Sequence, residues 1–375
     1  MSSKVFFTDM HVKTGDSLLS KFDRLITRAG IDQIDFTDKF VAVKIHFGEV
    51  GNLAFLRQQY AKVLCDHIKK QGGKPFLTDC NTLYVGYRNN ALNHLDAAYI
   101  NGYNPLATGV HTIIADGLRG TDERAIPVED AEYCPAPKIG AAIAEADIIV
   151  SLSHFKGHVV AGFGGALKNI GMGCGSKAGK MEMHSSGTPR ISAGKCVGCG
   201  MCVKNCDNKG VNIVDGKAVI DEQHCVGCGY CIAYCPKGAI MTKWDEAKPV
   251  MNKKVAEYTK AVLQGKPNFH VSMVVDVSPE CDCEGHNDVP VIPNVGMFAS
   301  FDPVAMDQAC VDACNAQPIV PGSAADHHHD HECHCHEHEG HDVFRMVHPD
   351  TDWAAGLDHA VKLGLGIREY ELIKI

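Results

Sequence analysis

ADIIVSLSHFKGH, residues 146–158, is the stretch on which the fold turns. Its first half is rich in β-branched and aliphatic residues, as in a strand buried on both faces. It then ends abruptly in His154, Lys156 and His158. The same habit recurs upstream. FVAVKIHFGEVGN (40–52) runs apolar and finishes in Lys44, His46 and Glu49, and KPFLTD (74–79) leads into Asp79, Asn81, Tyr84 and Arg88. VHTIIADGL (110–118) is a further strand, and residues 4–8 a short one. Between them the pattern predicts helices after Asp16 up to Gly30, over 53–71 up to Gly72-Gly73, over 88–101 and over 138–146. Strands alternating with helices predict an α/β fold with a mostly parallel sheet. In such sheets ligands bind beyond the carboxyl ends of the strands, where the polar residues gather here.

Downstream, AGFGGALKNIGMGCGSKAGKMEMH (161–184) carries seven glycines before Lys180 and His184, with Lys168 and Asn169 among them. It reads as a tight loop offering backbone amides to an anion. The alternative is a glycine-rich crossing that only packs closely. Neither the Walker A order nor the dinucleotide fingerprint is present. Further on, 250–264 reads as a helix. NFHVSMVVDVSPECDCEGHND (268–288) reads as a strand that ends at Cys281 and Cys283, followed by His286 and Asp288. These two thiols are candidates for a metal or a third cluster, against a labile disulfide or two idle thiols. DPVAMDQACVDACN (302–315) has Asp302 as N-cap and Pro303 in the first turn, with Cys310 and Cys314 on one face. WAAGLDHAVKLGLG is expected to close the chain as a helix.

Between these segments lie CVGCGMCVKNC (196–206) and CVGCGYCIAYCP (225–236). Each has the C-x2-C-x2-C-x3-C spacing of bacterial two-cluster ferredoxins, in which the fourth Cys of each run ligates the other cluster. The first [4Fe-4S] cluster is therefore assigned to Cys196, Cys199, Cys202 and Cys235, and the second to Cys225, Cys228, Cys231 and Cys206. Zinc sites would need two cysteine pairs per ion rather than three-plus-one runs. Asp207 stands where the second run has Pro236. The domain expectation is an α/β domain over 1–189 and 246–375, interrupted by a small α+β ferredoxin-like module over 190–245. Residues 326–342, DHHHDHECHCHEHEGHD, contain eight of the 21 histidines and read as a flexible loop with affinity for nickel or zinc.

VKIHFGEVGN, PFLTDCNTLYVGYRN, SHFKGHVVAGFGGALKNIGMGC, the Cys-Asp-Cys at 281–283 and SFDPVAMDQA resemble the domain-of-unknown-function 362 family. The resemblance spans nearly the whole chain apart from the His-rich stretch, and the cysteine runs match the family's iron–sulfur members. It implies a cytoplasmic iron–sulfur protein of anaerobic or facultative microbes. By motif it singles out Lys44, His46, Glu49, Asp79, Asn81, His154, Lys156, His158, Lys168, Asn169, Cys281 and Cys283.

Composition narrows the function classes. The net charge of −9, without long Lys/Arg runs, argues against nucleic acid as a partner. No run of apolar residues is long enough to span a bilayer, and no secretory signal opens the chain. The 18 cysteines do not form a small secreted disulfide framework, so a reducing cytoplasm is expected. The favoured expectation is a ferredoxin-linked oxidoreductase. A redox partner protein would supply the electrons, and an anionic small molecule or bound cofactor would sit in a crevice lined by Lys44, His46, His154, Lys156, His158 and Lys168. The alternative is a non-catalytic electron carrier or metal-handling protein.

Overall fold

The computed structural model describes residues 2–84, 86–185, 187–326 and 341–375. Residues 327–340, on which the expectation for the His-rich stretch falls, lie outside the described residues.

Eight strands build the central sheet, in the order Tyr370–Lys374, Ser3–Asp9, Gly296–Ser300, Asn268–Val274, Ile148–His154, Phe40–Lys44, Lys74–Asp79 and Thr112–Ile114. The last five run parallel to one another, and so do the first two. Gly296–Ser300 lies between these groups, antiparallel to both neighbours. Alternation sorts the side chains. Val41, Val43, Val150 and Leu152 enter one core with Phe22, Leu25 and Leu64 of the helices Leu18–Arg28 and Gln58–Lys70. Ala42 and Ile149 face the other way, into a core with Ile170, Val255 and Leu357. These come from the helices Ala166–Cys174, Lys248–Leu263 and Ala354–Lys362. Both faces of the sheet are thus covered, as an α/β layer requires.

Several local expectations are revised. Ser17 rather than Asp16 caps the first helix, because its side chain accepts from Ser20 N while Asp16 pairs with Arg24. Residues 138–146 divide into the strand Lys138–Gly140 and the short helix Ala141–Glu145. The glycine-rich stretch is not a loop. It forms a short strand, Gly162–Gly164, and two helices, Ala166–Cys174 and Lys177–His184. Glycine costs helix propensity, but here it permits contact: a Cβ on Gly171 would lie 2.2 Å from the Val255 carbonyl oxygen of the long helix behind it. At Gly171 the glycine serves close packing. Beyond the helix Ala354–Lys362 the chain does not stop, but adds Tyr370–Lys374 as an edge strand beside Ser3–Asp9.

The cysteine runs lie between Arg190–Ile191 and Ile240–Met241, which pair antiparallel and bring the ends of the segment together. Inside are a hairpin, Val211–Val214 with Lys217–Ile220, and two short helices, Met201–Lys204 and Tyr230–Tyr234. Val211, Ala218 and Ile240 form its own small core with Cys196, Cys202 and Cys231. No helix among the described residues is long and apolar enough to cross a membrane.

Candidate functional site

From Phe40–Lys44 the sheet grows outward through Lys74–Asp79 to Thr112–Ile114, and the chain then returns to place Ile148–His154 on the other side of Phe40–Lys44. That reversal leaves a crevice at the carboxyl edge. A cavity of about 540 Å³ lies there, bordered by Lys44, Asp79, Arg88, Lys156, Lys168 and Lys180.

Lys44 ends its strand with Nζ 3.0 Å from Asp79 Oδ1 and 2.9 Å from Asn169 Oδ1. Burial alone would raise the Asp79 pKa, but Lys44 and the surrounding cations overcome it and hold the carboxyl below its usual range. The Asn169 amide donates to the Lys44 carbonyl at 3.1 Å and to Ser153 Oγ at 3.0 Å, which fastens the helix Ala166–Cys174 across two parallel strands. Gly173 leaves the room Lys44 occupies, since a Cβ there would lie 2.3 Å from Nζ.

Arg88 is the second hub. Its Nε donates to Glu49 Oε2 at 3.1 Å, Nη1 lies 2.9 Å from His46 Nε2, and Nη2 donates to the Tyr84 hydroxyl at 2.5 Å. Tyr84 in turn donates to the Cys283 carbonyl at 2.9 Å. Burial first, and the Arg88 charge second, push the His46 pKa well below its ordinary value, so the ring is neutral at pH 7. The backbone joins the same lock: Glu49 N donates to the Asp282 carbonyl at 2.8 Å.

Cys281 to Glu284 form a turn, closed by Glu284 N donating to the Cys281 carbonyl at 2.9 Å. The Asp282 side chain points inward. It accepts from His154 Nδ1 at 2.8 Å and lies 3.2 Å from Lys156 Nζ. His154 Nε2 is 2.7 Å from the Val275 carbonyl oxygen. Burial opposes the Asp282 charge, but His154 and Lys156 more than offset it and lower the pKa. His154 is therefore an anchor of the turn and does not border the crevice, contrary to the sequence expectation. The end of a strand fixes where a residue sits, not which way the chain bends after it. Lys156, His158, Lys168, Lys44 and His46 do reach the cavity.

Cys283 borders the crevice, and Cys281 is buried behind it. Both sulfurs and one ring nitrogen of His158 lie within 4.8 Å of one another, a grouping able to hold a metal ion. Lys168 Nζ is 3.5 Å from Cys281 Sγ. The Cys283 S–H, ahead of the opposing effect of burial, and then Lys168 and Lys156 hold the Cys281 thiol well below its usual range. Cys283 is correspondingly raised. His158 Nδ1 accepts from Val160 N at 3.1 Å and Ala161 N at 2.9 Å. Burial and then Lys168 lower its pKa well below the ordinary value, so the neutral ring carries its proton on Nε2.

In the cysteine-rich segment, Cys196, Cys199, Cys202 and Cys235 line one small cavity, and Cys206, Cys225, Cys228 and Cys231 line another. This is the three-plus-one division read from the spacing. Backbone amides donate to the sulfurs: Ala218 N to Cys196 at 3.3 Å, Gly210 N to Cys206 at 3.2 Å and Ala239 N to Cys235 at 3.2 Å. Gly198 and Gly227, one in each run, adopt matching φ values of 67° and 69°, which turn the loops around their cavities. The second run touches the larger fold, since a Cβ on Gly229 would lie 3.1 Å from Met181 Cβ. Where the segment ends, Trp244 packs against His184 with ring centroids 4.7 Å apart, and both residues border the crevice. Sequence reasoning did not single out Trp244. Its one signal was rarity, since the chain has two tryptophans.

A family model described as "Domain of unknown function (DUF362)" matches residues 41–312. A search of curated proteins finds no match. Among solved structures, the lactate racemase apoprotein from Thermoanaerobacterium thermosaccharolyticum has 13% identity and a TM-score of 0.36, over 73% of this chain and 51% of that one. A structural-genomics protein from Thermotoga maritima has 11% identity and a TM-score of 0.42, over 81% of this chain and 60% of that one. The chain thus spans about half to three-fifths of the length of those structures.

Proposed function

We propose that this chain, which belongs to the family described as Domain of unknown function (DUF362), is an iron–sulfur redox enzyme acting on an anionic small molecule in the crevice. The observation that carries this reading is the meeting of the cysteine-rich segment and a lysine-lined cavity at Trp244 and His184.

The donor sets fit two [4Fe-4S] clusters. Four cysteines border each of two separate cavities, and backbone N–H groups point at three of the sulfurs. A single tetrahedral zinc would draw its sulfurs to about 3.8 Å of one another, from Zn–S bonds of about 2.3 Å. Among the described residues, no three of these eight sulfurs lie within 4.8 Å of one another. When bound, such clusters supply one-electron transfer at low potential.

The chain's own residues divide the remaining work. Lys44, Lys156 and Arg88 are matched by Asp79, Asp282 and Glu49 and keep the crevice in shape. Lys168 and Lys180 have no carboxylate within ion-pair distance among the described residues, and Lys180 is held by the Gly175 carbonyl at 2.6 Å. They are the cations available to an anionic ligand. His158, neutral with its proton on Nε2, borders the cavity as a hydrogen-bond donor to a bound anion.

The experiment is anaerobic purification followed by iron and acid-labile sulfide analysis and electron paramagnetic resonance after dithionite reduction. About eight of each per chain is expected. Phosphate and a dicarboxylate are then titrated against the protein by thermal shift. Lys180→Ala should weaken stabilisation about 10-fold to 100-fold in ligand concentration, the loss of a charged hydrogen bond of about 1.5–3 kcal/mol. Protein without iron, or anion binding indifferent to Lys168→Ala and Lys180→Ala, overturns the reading.

A further inference from the structure

Ten cysteines stand outside the two runs. Cys65, Cys80, Cys134, Cys174, Cys310 and Cys314 are buried among apolar side chains. Cys281 and Cys283 differ from these in three geometric ways. One turn brings their sulfurs together. A lysine ammonium lies 3.5 Å from one sulfur. Cys283 also opens onto the cavity while Cys281 lies behind it.

We infer that Cys281 and Cys283 are a redox-active dithiol at the wall of the crevice, cycling between the thiol pair and an intramolecular disulfide. A disulfide between residues two apart needs a turn to bring their Cα atoms close, and the hydrogen-bonded turn from Cys281 to Glu284 supplies it. The turn is held rigidly from behind by Asp282, through His154 at 2.8 Å and Lys156 at 3.2 Å. From the side, Tyr84 donates to the Cys283 carbonyl.

The same atoms would otherwise suit a soft metal ion, and two features weigh against one. His158 Nδ1 accepts two backbone N–H groups, so Nε2 bears the proton of the neutral ring and has no lone pair to give. A metal-ligating His does the opposite, donating through its other nitrogen. In addition, Lys168 and Lys156 both stand at the turn, where they favour a sulfur anion and repel a divalent cation.

The half-reaction balances for the pair and one proton. Two electrons and one proton break the S–S bond and leave Cys281 as a thiolate beside Lys168 and Cys283 as a thiol. Oxidation returns the two electrons and releases the proton. The reductant is by class a low-potential one-electron donor acting twice, or an external dithiol. The pair would thereby hold two electrons next to the crevice, the number most small organic substrates accept at once. This deepens the redox reading of the crevice, and the test below does not depend on iron being present.

Anaerobically purified full-length protein is equilibrated with defined ratios of reduced and oxidised dithiothreitol. It is then quenched in acid, alkylated under denaturing conditions and mapped by mass spectrometry, with zinc and nickel measured on the same samples. The peptide carrying both cysteines should switch between doubly alkylated and disulfide forms along a two-electron Nernst curve, while the Cys65 peptide stays fully alkylated. Cys283→Ser should abolish the switch. A peptide that stays doubly alkylated at the most oxidising ratio overturns the inference. So does a metal ion present at one per chain and lost in Cys281→Ser.

Discussion

Asp282→Asn is the sharpest probe of how the site is held. Asn keeps the size of the side chain and creates no cavity, so the change isolates the charge. In the native protein that charge faces His154 at 2.8 Å and Lys156 at 3.2 Å, with Asp282 fully buried. Removing one partner of a buried ionic cluster leaves the others uncompensated, at a cost of about 3–5 kcal/mol. The sign with pH follows from the lowered pKa. Below the ordinary value of 3.8 the unfolded chain takes up the proton before the folded one does. The Asp282 contribution is therefore fully present above that pH and is lost as pH falls below it, by at most about 1.4 kcal/mol per unit. Urea unfolding followed by tryptophan fluorescence tests both parts, because Trp353 packs against Phe163 inside the larger fold. The expected result is a gap of several kcal/mol between native and variant from pH 5 to 7, narrowing from pH 4 to 3. A gap below about 1 kcal/mol at pH 7 would refute the anchoring argument.

Three further outcomes are expected. Gly171→Val should destabilise by at least about 1–3 kcal/mol through overpacking against the Val255 carbonyl, read from the urea midpoint. Glu257→Gln should cost about 2–4 kcal/mol in the same assay. That buried carboxylate accepts from Glu132 N at 2.7 Å, Tyr133 N at 3.1 Å and Cys134 N at 2.6 Å, and replacing one oxygen by an amide turns an acceptor into a donor. Cys202→Ser and Cys231→Ser should each remove about half of the iron, since the two residues border different cavities. Equal and complete loss in both variants would argue against two independent sites.

What the sequence made legible was periodicity and spacing. The strand Lys74–Asp79 appears where its pattern places it, and the cysteine spacing divides the eight thiols between the two cavities that the fold forms. Illegible were features decided by long-range contact. Glycines at 161–184 look like loop residues until a second helix lies against them, as Val255 does against Gly171. His154 looked like a crevice residue because nothing local reveals that Asp282 waits behind it. The strand Tyr370–Lys374 was missed because a short, half-exposed edge strand carries little apolar alternation.

The sheet order has a bearing on biosynthesis. Ser3–Asp9 is synthesised before every other strand of the sheet, yet its two partners are Gly296–Ser300 and Tyr370–Lys374. The opening strand must wait for nearly the whole chain before it can pair. The cysteine-rich segment closes on itself through Arg190–Ile191 and Ile240–Met241 well before that. On the iron–sulfur reading proposed above, nascent chains would acquire iron and sulfide while the sheet is still incomplete, and loading would precede closure of the crevice.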